Sequence, residues 1–84
     1  MGKYDRLLEQ ILSRRADANV RFEELCNLLL RYGFELRTDG SHHIFRRPGV
    51  MEKVNLQREG SMAKPYQVRQ VRRLILKYGF GERG

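Results

Sequence analysis

At 84 residues the chain has room for one domain with a modest core, and 40% apolar residues in periodic blocks exclude a disordered chain. Lys and Arg number 17 against 10 Asp and Glu, a net +7 that points to nucleic acid, an anionic membrane or an acidic protein as partner. The single cysteine, Cys26, excludes an internal disulfide framework.

Tyr4, Leu7, Leu8 and Ile11 recur at helical spacing and predict an amphipathic helix over residues 4–14. Lys3, Asp5 and Arg6 break any signal-peptide core there, and the chain has no apolar run of about 18 residues for a membrane span. A cytoplasmic protein without membrane contact is therefore expected. Residues 14–19 lose the pattern. Residues 1–18 read as an N-terminal helix and connector, and 19–84 as the working domain.

A second helix is predicted over residues 21–32, with Phe22, Leu25, Cys26 and Leu29 on one stripe. Glu23 and Glu24 suit its positive end, Arg31 its negative end, and Gly33 stops it. Cys26 falls on the stripe and reads as core filler, not as a nucleophile.

Three strands follow: Phe34 to Thr38, Ser41 to Arg47 and Val50 to Leu56. Asp39-Gly40 is read as a two-residue hairpin turn and Pro48-Gly49 as the centre of a type II turn, so the strands run antiparallel. Gln57 to Lys64 is polar and reads as a loop. Pro65 opens a last helix over 65–78, which Gly79 ends. The expected fold class is α+β: a three-stranded antiparallel sheet with helices on one face, plus the extra N-terminal helix.

The turns set the register, and register sets side. An Asp39-Gly40 loop pairs Arg37 with His42 and Leu36 with His43. Phe34, Leu36, His43 and Phe45 then face the helices. Glu35, Arg37, His42 and Ile44 face the open side. The second hairpin places Asn55 beside His42 and agrees on the faces. His43 is expected to pack inward and His42 to stand exposed between Arg37 and Asn55.

An exposed imidazole can take a proton from a ribose 2′-OH or give one to a leaving oxygen. Arg37, Lys53 or Arg46 can steady the added negative charge at phosphorus. No metal or cofactor is expected: His42 and His43 point to opposite faces, and no Asp, Glu or Cys stands at ligand spacing to help them. Gly60, Ser61, Lys64 and the free N–H groups of the last helix could hold a phosphate or form an ordinary polar loop.

Phe22-Glu23-Glu24-Leu25, Tyr32-Gly33-Phe34-Glu35-Leu36, Gly40-Ser41-His42-His43-Ile44-Phe45 and Lys64-Pro65-Tyr66-Gln67-Val68-Arg69-Gln70-Val71 together resemble the HicA family of bacterial toxins. The likeness covers residues 20–80. It implies a fold like a double-stranded RNA-binding domain and an mRNA interferase of a toxin–antitoxin pair. It also implies a catalytic His after Gly-Ser, here His42, and a HicB-type antitoxin that covers the active site.

The leading expectation is a metal-independent endoribonuclease acting on mRNA. His42 is its general acid or base, and Arg37, Ser41, Lys53, Lys64, Arg69 and Arg73 are its RNA contacts. The alternative is a non-catalytic RNA-binding module gripping phosphates through Lys64, Arg69, Arg72 and Arg73. A third reading is a protein-interaction domain whose basic surface meets an acidic partner.

Overall fold

Apolar residues at helical spacing build α1 (Lys3–Ser13), α2 (Phe22–Arg31) and α3 (Pro65–Tyr78) in the computed structural model of the chain. The structure describes residues 2–80; Met1 and the last four positions of the expected 19–84 unit lie outside the described residues. A short 3₁₀ turn (Asp17–Asn19) separates α1 from α2. Strands β1 (Glu35–Asp39), β2 (His42–Arg46) and β3 (Val54–Leu56) form an antiparallel sheet in the order β1-β2-β3. The architecture is α+β, as expected, and matches a double-stranded RNA-binding-domain-like arrangement with an added N-terminal helix.

The helices cover one face of the sheet. Phe34, Phe45, Val54 and Leu56 point into that layer and are buried with Phe22, Leu25 and Leu29 of α2 and Val68, Val71 and Ile75 of α3. The first helix is part of this core: Leu7 and Ile11 are buried, worth about 2 kcal/mol each in apolar area removed from water. Gln10 holds the connector with Nε2, which donates to the carbonyls of Ala16 and Asn19 at 3.2 Å each. Cover stops short of β1. All five β1 residues are exposed, including Leu36 at 39%.

Three expectations need correction. The first turn is Gly40-Ser41, flanked by the Asp39–His42 pair, not Asp39-Gly40. Gly40 has φ 62° and Asp39 keeps a negative φ, so only glycine occupies the left-handed region that costs other residues about 1 kcal/mol or more. Arg37 consequently lies opposite Ile44, and His42 opposite Asp39.

Second, the Pro48-Gly49 turn forms, with Val50 N donating to Arg47 O at 3.0 Å, but the strand does not resume at Val50. A type II turn splays its flanks. β3 begins only at Val54, and His43 pairs with Leu56 in place of Val54. Third, the expected 57–64 loop contains a second hairpin, β4 (Arg58–Glu59) and β5 (Met62–Ala63), closed by Gly60-Ser61. It is stitched to the start of α2: Phe22 N donates to Ser61 O at 3.0 Å and Ala63 N to Val20 O at 2.8 Å.

Candidate active site on the open face

The face of the sheet turned away from the helices carries its side chains in three cross-strand rows. Asp39 and His42 form the first, and Arg37, Ile44 and Asn55 the second. Glu35 and Arg46 start the third, and the same register carried one step further brings Lys53 beside Arg46.

His42 is exposed, and its Nδ1 lies 3.1 Å from Asn55 Oδ1. An amide oxygen only accepts, so this contact has Nδ1 as the donor and, in the neutral ring, leaves the lone pair on Nε2. Asn55 reaches His42 diagonally across the rows, because the register seats it opposite Ile44. Arg37 is likewise a diagonal neighbour of His42, not its direct partner as the sequence reading held.

The turn that leads into His42 is braced from the core. Gln57 Nε2 donates to Ser41 Oγ at 3.0 Å. Gln57 is in turn held by the buried Gln67 of α3. The Gln67 amide nitrogen donates to Gln57 O at 3.1 Å, and its oxygen accepts from Gln57 N at 3.0 Å. Gln57 and Gln67 were not singled out from sequence as site residues; a polar residue on the buried stripe of α3 was the available signal.

His43 turns the other way. Its ring meets the Phe22 ring edge-on at 4.9 Å, and its Nδ1 is buried without a hydrogen-bond partner. It belongs to the packing layer. Cys26 is also buried there, and burial pushes its thiol up to about 11, which leaves no thiolate at neutral pH.

Beside the second and third rows lies a shallow cavity of about 480 Å³, lined by Glu35, Leu36, Arg37, Ile44, Arg46 and Lys53. Three cations and one carboxylate give it a net positive charge. Among the described residues no ion pair within 4 Å engages Arg37, Arg46 or Lys53.

Lys64, Arg69 and Arg73 lie elsewhere. Lys64 caps α3, and Arg69 and Arg73 are exposed along it, in the layer across the sheet from His42. The structure does not bring them to the histidine. Arg72, expected among the phosphate-gripping residues, is buried. Its Nη1 donates to Ile11 O at 3.0 Å and to Asp17 Oδ1 at 2.9 Å, and its Nη2 to Asp17 Oδ2 at 3.2 Å. It is committed to holding α1 and cannot meet RNA.

Among the described residues no three His, Cys, Asp or Glu side chains converge as a metal site would require. No helix of the described residues is long and apolar enough to cross a membrane. The family model described as HicA toxin of bacterial toxin-antitoxin matches residues 22–79. No curated protein and no solved structure matches the chain.

Proposed function

The chain belongs to the HicA toxin family, the toxin side of a toxin–antitoxin system, and from that premise we propose that it is a metal-independent endoribonuclease acting on mRNA. The observation that carries this reading is His42, exposed on the open face with Nδ1 held by Asn55 and Nε2 free. Nε2 takes the proton of a ribose 2′-OH. The 2′ oxygen attacks the adjacent phosphorus, the P–O5′ bond breaks, and the imidazolium returns its proton to the departing O5′. A 2′,3′-cyclic phosphate and a 5′-OH result. Arg37, one row away, steadies the charge that builds at phosphorus, and Ser41 and Lys53 contact the strand.

The test is cleavage of RNA by purified protein in EDTA, with and without His42→Ala. Loss of a general acid–base group lowers the rate by about a hundredfold to ten-thousandfold. Equal cleavage by both proteins removes His42 from the mechanism. The antitoxin partner is, on this reading, a HicB-type protein that covers the open face.

The exposed row of Arg69 and Arg73 on α3, in no ion pair among the described residues, favours a second reading, a non-catalytic RNA-binding module joined by Lys64 but not by Arg72. Steeply salt-dependent RNA binding without cleavage, weakened by Arg69→Ala and Arg73→Ala, distinguishes it.

A further inference from the structure

We propose that Arg46 and Lys53, at the far end of this cavity, form a second phosphate subsite two phosphodiester steps from the bond that His42 cleaves, with Arg37 left to the scissile phosphate, and that the subsite fixes a single RNA strand along β2. The proposal rests on the reading of His42 as the cleaving residue.

Three observations converge. His42, Ile44 and Arg46 alternate along β2 on the same face, so His42 and Arg46 are separated by roughly 13 Å, four residues of strand rise. An extended RNA strand covers that span in two nucleotide steps. Arg46 of β2 and Lys53, just ahead of β3, line one cavity with Arg37 of β1, with no ion pair drawing them off among the described residues. Glu35 is the one carboxylate in the lining, and it leaves the net charge positive. Between the two ends, Ile44 is half-buried and offers an apolar platform to the intervening base or ribose.

The arrangement suits a single strand and not a duplex. Attack of the 2′ oxygen in line with the departing O5′ requires a nucleotide that leaves helical geometry, as unpaired nucleotides do. The Arg46 end sets two cations, Arg46 and Lys53, against one carboxylate, Glu35, while Asp39 stands directly opposite His42 at the other end.

The experiment uses an RNA strand that carries one 2′-OH and is otherwise 2′-O-methylated, so that it is cut at one bond. Neutral methylphosphonates replace its phosphates one at a time. With wild-type protein, replacement two steps from the cut on one side lowers kcat/KM about tenfold, the loss of a charge-assisted contact. The Arg46→Ala/Lys53→Ala double variant cleaves the unmodified strand more slowly by a similar factor and no longer senses that replacement.

Its log–log salt slope for binding an uncleavable, fully methylated strand is shallower by about 0.7, one single-strand phosphate contact. Both residues are exposed, so far-UV circular dichroism of the variant should match wild type. Wild-type cleavage with no sensitivity at that phosphate overturns the subsite, as does sensitivity retained in the double variant. Failure of wild type to cut the unmodified strand overturns the reading of His42 and the subsite together.

Discussion

Replacing Asp17 with Ala tests whether the N-terminal segment is structural. Arg72 reaches Asp17 through both guanidinium nitrogens, at 2.9 and 3.2 Å, and its side chain is 9% exposed against 17% for Asp17. Removing the carboxylate leaves a buried guanidinium with the Ile11 carbonyl, 3.0 Å away, as its protein acceptor. Breaking a fully buried pair from one side costs about 3–5 kcal/mol. The surviving carbonyl bond and the partial exposure of Asp17 put this variant at the lower end, about 3 kcal/mol.

A domain of 84 residues has a total stability of about 4–13 kcal/mol. The substitution therefore consumes a large share of it and lowers Tm by about 15 °C. Urea unfolding followed by circular dichroism should show a lower midpoint with an unchanged slope. The Asp17→Ala/Arg72→Met double variant should be more stable than Asp17→Ala alone, because it buries no unpaired charge. A single-variant cost below about 1 kcal/mol, the range of exposed pairs, would refute the reasoning. So would a double variant less stable than the single.

Lys77 and Tyr78 each donate to Glu52 at 2.7 Å and hold its carboxyl at about 2, below its ordinary 4.5. A carboxyl depressed on folding stabilises above its unfolded value and loses that contribution as pH falls toward the folded one. Wild type and Glu52→Gln should therefore differ most in Tm above about pH 4.5 and converge toward pH 2; a constant offset would contradict this. Gln67→Leu removes the partners of the N–H and C=O of half-buried Gln57 and should cost about 2 kcal/mol in urea unfolding. Asn55→Leu frees the tautomer of His42 and should lower kcat for RNA cleavage roughly tenfold or more with little change in KM. Asn55→Asp keeps an acceptor and should retain activity, with the base limb of its pH–rate profile moved upward.

Much of the fold was legible because faces survive register errors that elements do not. Both hairpins differ from their expected pairing by two residues, and a shift of two returns every side chain to its own face. His42 therefore stands open and His43 packs on Phe22 although neither has the cross-strand partner expected from the turns. The partners themselves were not legible. They depended on which residue of Asp39-Gly40-Ser41 takes the positive φ, and glycine takes it alone.

The β4–β5 hairpin carried the same signal unread. Glu59-Gly60-Ser61-Met62 repeats the pattern of Asp39-Gly40-Ser41-His42, an acid, then Gly-Ser, then a strand. It was hidden because its strands are two residues long, too short to show alternation. Arg72 was misread because it adjoins Arg73, which with Arg69 is exposed on the same helix. Only the packing of α1 and its connector shows that position 72 faces the half-buried Asp17 carboxylate and the Ile11 carbonyl.

α3 thus has three distinct faces with three tasks. Arg72 ties down α1, Arg69 and Arg73 stay in solvent, and Gln67 grips the backbone of Gln57. The last contact reaches the candidate site, because the side chain of Gln57 continues to Ser41, the residue before His42. A buried glutamine among valines is a costly choice for packing alone: its amide must be matched at both ends or it destabilises the core. Here both ends meet the backbone of one residue, Gln57, at the exit of β3, so the cost fixes a backbone position that an apolar residue could not. A histidine on an exposed strand has otherwise little to hold it. The core reaches it from one side through Gln67, Gln57 and Ser41, and the sheet reaches it from the other through Asn55.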